Sequence, residues 1–391
     1  MKSTFDVIII GGGIMGCSSA YRLSQRGLKV TVLEKGGLGN GSTGRSSAII
    51  RQHYSNEITA RMALNSLRVF QNFQDEVGGE SGFTKAGFLV LTPEKDLEGL
   101  EANVALQQGV GIQTTLMSHD EIVEQWPYLE ANDLVAAAFE PEAGYADPSL
   151  TVNSFAQAAK RNGTEFHLDT EVIGLLSDSG KIRGVKTSRG EFEAPAVINC
   201  AGPWAAQVAG WAEVDVPIAS CRVQVAFFRR PAGQEVDHPV IADFANASYW
   251  RPETGNQTLV GLIDPSEQEN VVDPDRYNVN GDLDFVADVG SRLVRRYPAM
   301  QHSASTTSYA ALYAITPDWH PVMDELIPGS GFYICAGFSG HGFKLGPAVG
   351  WMIADMVTNQ NTEGLERDLF RLSRFEEGTP VAGRYEYSIA G

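Results

Sequence analysis

A short apolar run that ends abruptly in glycine constrains this chain more than any other feature: Val7-Ile8-Ile9-Ile10-Gly11-Gly12-Gly13-Ile14-Met15-Gly16. β-Branched residues in an unbroken apolar row read as a strand buried on both faces. Glycines at 11, 13 and 16 complete GxGxxG where that strand should turn into a helix. Gly11 permits the tight turn, Gly13 lets the backbone approach a pyrophosphate, and Gly16 lets the new helix pack close to the sheet. The phosphates then meet free N–H groups and the positive dipole end of the helix, beside Ile14 and Met15.

GxGxxG alone is weak, but here its context is complete. Ile14, Cys17 and Tyr21 recur at helical spacing, Arg26-Gly27 ends that helix, and Val30-Thr31-Val32-Leu33 supplies a second strand. Glu34 follows eighteen residues after Gly16, where a carboxylate would hold a ribose hydroxyl pair. No arginine stands just after it to accept a 2′-phosphate, which favours FAD or NAD over NADP.

The 391 residues suffice for two domains or one large interlocked pair. A formal net charge of −18 disfavours nucleic acid and anionic membrane surfaces as partners. Cys17, Cys200, Cys221 and Cys335 lie far apart without CxxC spacing, which argues against a disulfide framework or a metal site. The first buried strand begins too early for a signal peptide, and no apolar run reaches the length of a membrane span. These features together lead us to expect a cytoplasmic protein with reduced thiols.

After Glu34 and Lys35 comes a glycine-rich loop, including Ser42, Thr43, Arg45, Ser46, Ser47 and Ala48, whose small residues suit backbone lying against a ligand. Arg51 stands at its exit, before a helix with Ala63, Leu67, Phe70 and Val77 on one face. From Phe83 to about Tyr145 the texture changes to a strand at Gly87–Leu91 and acidic helix-like segments, as in an insertion. A helix with Val152, Phe155, Ala156 and Ala159 follows, and then a strand meander that ends in Ala196–Trp204. Further sheet is expected at 222–228, 249–252 and 258–262, and an amphipathic helix at Phe285, Val289, Leu293 and Tyr297. A second glycine loop, Ala336 to Pro347, leads from strand Phe332–Cys335 into a final helix running to about Val357.

At this point the chain resembles the D-amino-acid-oxidase-like FAD-dependent oxidoreductases, in the branch of sarcosine oxidase (including its beta subunit), glycine oxidase and dimethylglycine dehydrogenase. The resemblance is carried by the GxGxxG with Glu34, by Ile49-Ile50-Arg51, by Val197–Trp204, by Leu312–Asp318 and by Gly337–Lys344. It implies an α/β fold: a Rossmann-like FAD-binding domain interleaved with an α+β, mixed-sheet substrate domain. The expected FAD-binding domain is discontinuous, at 1–82, 145–215 and 316–391, with 83–144 and 216–315 forming the substrate domain.

The resemblance implies FAD bound extended, with contacts extending to Val172, Ala201, Gly202, Trp204, Tyr313, Gly340, His341, Gly342, Phe343 and Lys344. It implies oxidation of a small carboxylate-bearing secondary or tertiary amine, sarcosine-like or proline-like, to an imine by hydride transfer to flavin N5. Arg51 and Lys344 match the positions whose cations hold the substrate carboxylate, with Tyr249 and His341 expected beside them. A bidentate arginine and a point-charge lysine would orient the reacting carbon.

Two departures from the family pattern add expectations. The covalent-flavin attachment points of relatives are replaced by Ala311 and by Gly44-Arg45, so FAD is expected to be noncovalent. No lysine occurs between Lys186 and Lys344 to activate oxygen, so the electron acceptor is either O2 or another protein or quinone. Homo- and hetero-oligomeric assembly both stay open. So does a noncatalytic or electron-transfer subunit that merely holds flavin within a larger amine oxidase or dehydrogenase complex.

Overall fold

The structure, a computed structural model, describes residues 5–233, 238–264, 266, 269–361, 365–366 and 368–385. Strand β1 (Val7–Ile10) runs into helix α1 (Ile14–Gln25) and returns as β2 (Val30–Leu33). β1 pairs in parallel with β2 on one side and with Ala196–Asn199 on the other. The six-stranded sheet has the order Val322–Glu325, Phe332–Ala336, Ala196–Asn199, β1, β2, Glu165–His167. Its Val322–Glu325 edge alone is antiparallel.

A parallel sheet covered on both faces needs apolar side chains pointing both ways, and β1 supplies them. Val7 and Ile9 join the core under α1 and the helices Pro148–Arg161 and Gly346–Thr358. Ile8 and Ile10 point into the other core, with Val185, Val197 and Phe332. An antiparallel meander, Val172–Asp178, Lys181–Thr187 and Gly190–Glu193, contributes to that second core.

The second sheet has eight strands, in the order Ala304–Ile315, Ala219–Arg229, Gln257–Leu262, Ser248–Glu253, Val240–Asp243, Phe88–Thr92, Ala136–Glu140, Thr115–Ser118. It is mixed, because Phe88–Thr92 lies parallel to Val240–Asp243 while its other pairings are antiparallel. Leu89, Leu91 and Trp250 share one core with Val289 and Leu293 of the helix Leu283–Arg296. Phe88, Val90, Val225, Ala242 and Tyr249 belong to the opposite face.

The strands Thr115–Ser118 and Ala136–Glu140 were not expected from the sequence. Alanine has little strand preference, so sheet pairing overrides local propensity at Ala136-Ala137-Ala138. The helix expected to carry Val77 also differs. α2 (Glu57–Gln71) stops at Asn72, and a four-residue helix, Phe73–Glu76, comes before Val77, which is still buried.

A small sheet joins the two halves, with β3 (Ile49–Ile50) and Thr84–Lys85 both pairing with Gly144–Tyr145. Arg51 therefore leaves a strand anchored to the 83–144 segment.

Candidate active site

The carboxyl ends of β1, β2, Ala196–Asn199 and Phe332–Ala336 open toward the inner face of the eight-stranded sheet. Between them lies a cavity of about 730 Å³, walled by Gly11, Glu34, Cys200 and Ala336 from one sheet and Phe88, Val225 and Tyr249 from the other. Open α/β sheets hold their ligands at such strand ends.

Local sequence dictates the first part of the wall. Gly11 has φ +107°, and a Cβ there would stand 2.5 Å from the Cys200 carbonyl oxygen. Gly13 caps α1 without a side chain, and Thr43 Oγ1 accepts from Ile14 N–H at 3.2 Å. Gly16 lies behind the wall, where a Cβ would come within 2.0 Å of the Gly11 carbonyl oxygen. The Glu34 carboxylate is fixed by N–H bonds from Gly12 (2.7 Å) and Gly36 (2.8 Å), leaving lone pairs for a ligand. Ser42 lines the cavity with its hydroxyl buried and without a hydrogen-bond partner among the described residues.

The eight-stranded sheet grips the first glycine loop. Tyr249 and Ser47 share a 2.6 Å hydroxyl hydrogen bond, Arg251 Nε donates to Ser47 O, and Tyr309 donates to Arg45 O. Arg45 donates to Asn40 O within the loop. At the mouth, Lys35 sits 3.6 Å above the Trp204 ring, and both side chains bond Asp275 at 2.9 Å. The bond from Lys35 is the main reason that the Asp275 carboxyl titrates below its usual range. Sequence patterns did not mark Asp275, Arg251 or Tyr309, because they reach the loop from over 200 residues away.

The second glycine loop packs against the end strand Ala304–Ile315. Ser339 N–H donates to Ala314 O, and Thr316 N–H donates to Ser339 Oγ. Gly340 has φ +86°, and its missing side chain admits the Tyr313 ring, which a Cβ would meet at 2.4 Å. Phe343–Leu345 then makes one 3-10 turn into the final helix.

That turn delivers Lys344 into the cavity, where Arg51 arrives from β3. Both side chains are buried, at 6% and 8% exposure. Lys344 Nζ donates to His341 O at 3.3 Å. Arg51 donates to His53 O and lies 4.5 Å above the Tyr54 ring. Burial, then the Arg51 charge, pushes the Lys344 ammonium well below its ordinary pKa. His341 has both ring nitrogens engaged: Nε2 donates to Trp319 O (2.7 Å), and Nδ1 accepts from Tyr54 OH (3.3 Å). Burial holds His341 neutral, well below its normal pKa.

The other sequence-selected residues, Met15, Ser46, Ala48, Val172, Ala201, Gly202, Gly342 and Phe343, also line this cavity. His53, Phe244 and Gln224 line it as well, without having been singled out. Among the described residues no group of His, Cys, Asp and Glu could hold a metal ion, and no helix is long and apolar enough to cross a membrane.

Comparison with known proteins agrees with this architecture. The family model described as DAO, FAD dependent oxidoreductase, matches residues 6–356. The L-proline dehydrogenase of P. horikoshii superposes with a TM-score of 0.89 at 29% identity, covering 97% of this chain and 100% of that one. Sarcosine oxidase subunit beta of Rhodobacter capsulatus is 25% identical, over 96% of this chain and 90% of its own length. The mitochondrial pyruvate dehydrogenase phosphatase regulatory subunit of Mus musculus is 29% identical over 95% of this chain. The chain spans only 43% of that mouse protein and 40% of human sarcosine dehydrogenase. It belongs to the DAO family of FAD-dependent oxidoreductases, and its cofactor is FAD.

Proposed function

We propose that this chain oxidises the carbon–nitrogen bond of a small secondary or tertiary amino acid, sarcosine-like or proline-like, to an imine. The observation that carries the proposal is the burial of two cations, Arg51 and Lys344, in one cavity wall of an otherwise acidic protein. Two cations facing one cavity attract an anion, and a substrate carboxylate entering that cavity would bind there. The printed names of two relatives, a proline dehydrogenase and a sarcosine oxidase subunit, support this substrate class.

The residues present fit FAD. The side-chain-free cap of α1, the fixed Glu34 carboxylate and the Ser42 hydroxyl, which has no partner among the described residues, offer sites for pyrophosphate, ribose and a further polar group. FAD, when bound, supplies the acceptor for the two electrons and hydrogen that leave the substrate carbon. Arg51 and Lys344 hold the carboxylate, Tyr249 shapes the wall beside it, and His341 positions Lys344 through its carbonyl oxygen. The segments 83–144 and 216–315 form the substrate side, and the remainder holds the cofactor.

The cofactor is held noncovalently in this proposal, so acid precipitation should leave the flavin in the supernatant. Of the lysines lining the cavity, Lys35 is engaged by Asp275 and Lys344 by the carboxylate site. We therefore assign the electrons to a protein or quinone acceptor, and the subunit name of the Rhodobacter capsulatus relative supports a hetero-oligomeric setting. Rapid stoichiometric peroxide release by the isolated chain would contradict that assignment.

Anaerobic addition of N-methyl and cyclic amino acids to the flavoprotein should bleach the flavin with at least one of them. A second reading is a noncatalytic flavin-holding subunit, favoured by the name of the mouse regulatory subunit. No bleaching with any amine, together with copurifying partners, would establish that reading instead.

A further inference from the structure

Glu140, at the end of the strand Ala136–Glu140, is completely buried behind the carboxylate site. Two other carboxylates with buried side chains, Asp243 and Asp318, are paired firmly. Asp243 receives Arg296 and Asn246, and Asp318 receives Arg374 through both oxygens as well as Val381 N–H. Among the described residues Glu140 has one hydrogen-bond donor: Gln52 N–H reaches Oε2 at 2.8 Å. Its Oε1 is buried without a hydrogen-bond partner among the described residues.

The surroundings explain why Oε1 has no donor. His53 Nδ1 stands 3.9 Å away, but Gln107 Nε2 donates to that nitrogen at 3.0 Å, so it carries a lone pair rather than a proton. Nε2 of the same ring bonds Tyr385 OH at 2.8 Å. Burial pushes the His53 pKa down to about 3, which keeps the ring neutral. Gln107, from the helix Leu97–Val110, and Tyr385, from the C-terminal segment, thus engage His53 rather than Glu140. The residue paired with Glu140 on the neighbouring strand is the apolar Phe88. The charged groups acting on Glu140 are Arg51 and Lys344, with the un-ionised Tyr54 phenol beside them.

A carboxylate in this setting is balanced between two states. Desolvation favours the protonated form, and two cations together with one N–H favour the ionised form. We propose that Glu140 is a proton-accepting counter-ion for the carboxylate clamp: it carries negative charge beside Arg51 and Lys344 in the free site and takes up a solvent proton at Oε1 when a ligand carboxylate arrives. The incoming anion takes over the balancing of both cations and repels Glu140, and protonation removes that repulsion. Burial has already lifted the Glu140 pKa to about 7, so the exchange falls within the physiological range. Proton uptake here would offset the proton that a zwitterionic amino acid must lose before its nitrogen lone pair is free. This inference rests on the carboxylate reading of Arg51 and Lys344.

The test uses the FAD-loaded protein and two ligands without an amine proton, methoxyacetate and oxolane-2-carboxylate, followed by perturbation of the flavin spectrum. Affinity should be greatest below about pH 7 and fall close to tenfold per pH unit above it, because the ionised Glu140 repels the ligand. Binding above pH 7 in weakly buffered solution should take up close to one proton. Glu140→Gln keeps the acceptor for Gln52 N–H and should flatten the pH profile and abolish proton uptake. Lys344→Arg, permanently charged, should keep the slope. A slope retained in Glu140→Gln and lost in Lys344→Arg would overturn the proposal and give the proton to Lys344. A flat profile in the wild-type protein would also overturn it, and needs no variant to fold. Failure of either ligand to bind at any pH would overturn the carboxylate reading and this inference with it.

Discussion

Around the β1–α1 turn the cavity wall is main chain, whereas around Arg51 and Lys344 it is side chain. The turn comes from one stretch of ten residues in which a Cβ at Gly11 or Gly16 would meet backbone oxygen at 2.5 or 2.0 Å. The proposed clamp draws on four separate segments: Arg51 just after Ile49–Ile50, Glu140 and Tyr249 on two strands of the eight-stranded sheet, and Lys344 in the turn Phe343–Leu345. A main-chain cradle tolerates almost no substitution but can hold any dinucleotide. A side-chain pocket can be retuned residue by residue, so the proposed function assigns substrate choice to it.

Substitution should separate the two regions, and the largest effect belongs to the cradle. Gly16→Val would drive a Cβ into the Gly11 carbonyl oxygen, costing roughly 3 kcal/mol or more of stability. The purified protein should lack flavin absorbance and melt at lower temperature. Normal flavin content would break the comparison from the cradle side.

Lys344→Met is next. Removing one cation from a desolvated carboxylate site costs about 2–5 kcal/mol, so kcat/KM should fall on the order of a hundredfold while flavin content stays normal. Unchanged kinetics would remove Lys344 from the site. Tyr249→Phe loses the Ser47 hydrogen bond, worth about 1 kcal/mol, and should raise KM several-fold in steady-state assays.

The smallest effect lies at the mouth. Asp275→Asn weakens a half-exposed ion pair worth about 0.2–1 kcal/mol, so FAD should dissociate about two- to fivefold faster. High salt should erase most of that difference, as stopped-flow flavin release would show.

The same contrast explains what the sequence made legible. The buried strand, the glycine turn, Glu34 and the second glycine loop depend on local patterns with a fixed spacing, and each is found where that pattern places it. The alanine-rich strand Ala136–Ala138 was invisible because sheet pairing, not propensity, makes it extended. Glu140 looked like one acidic residue among many, and nothing nearby marks it as buried between Gln52 and His53. His341 shows the limit from the other side. It stands in a telling motif, yet the protein itself engages both its nitrogens, which fits a loop-holding part better than contact with the reacting atoms.

The central claim is that Arg51 and Lys344 recognise a carboxylate next to the amine that is oxidised. Anaerobic flavin reduction by N-methylglycine and proline, set against their decarboxylated counterparts dimethylamine and pyrrolidine, tests it most directly. Bleaching by at least one amino acid, at least a hundredfold faster than by its decarboxylated partner, is the predicted result. Equal rates for the two members of each pair would contradict it.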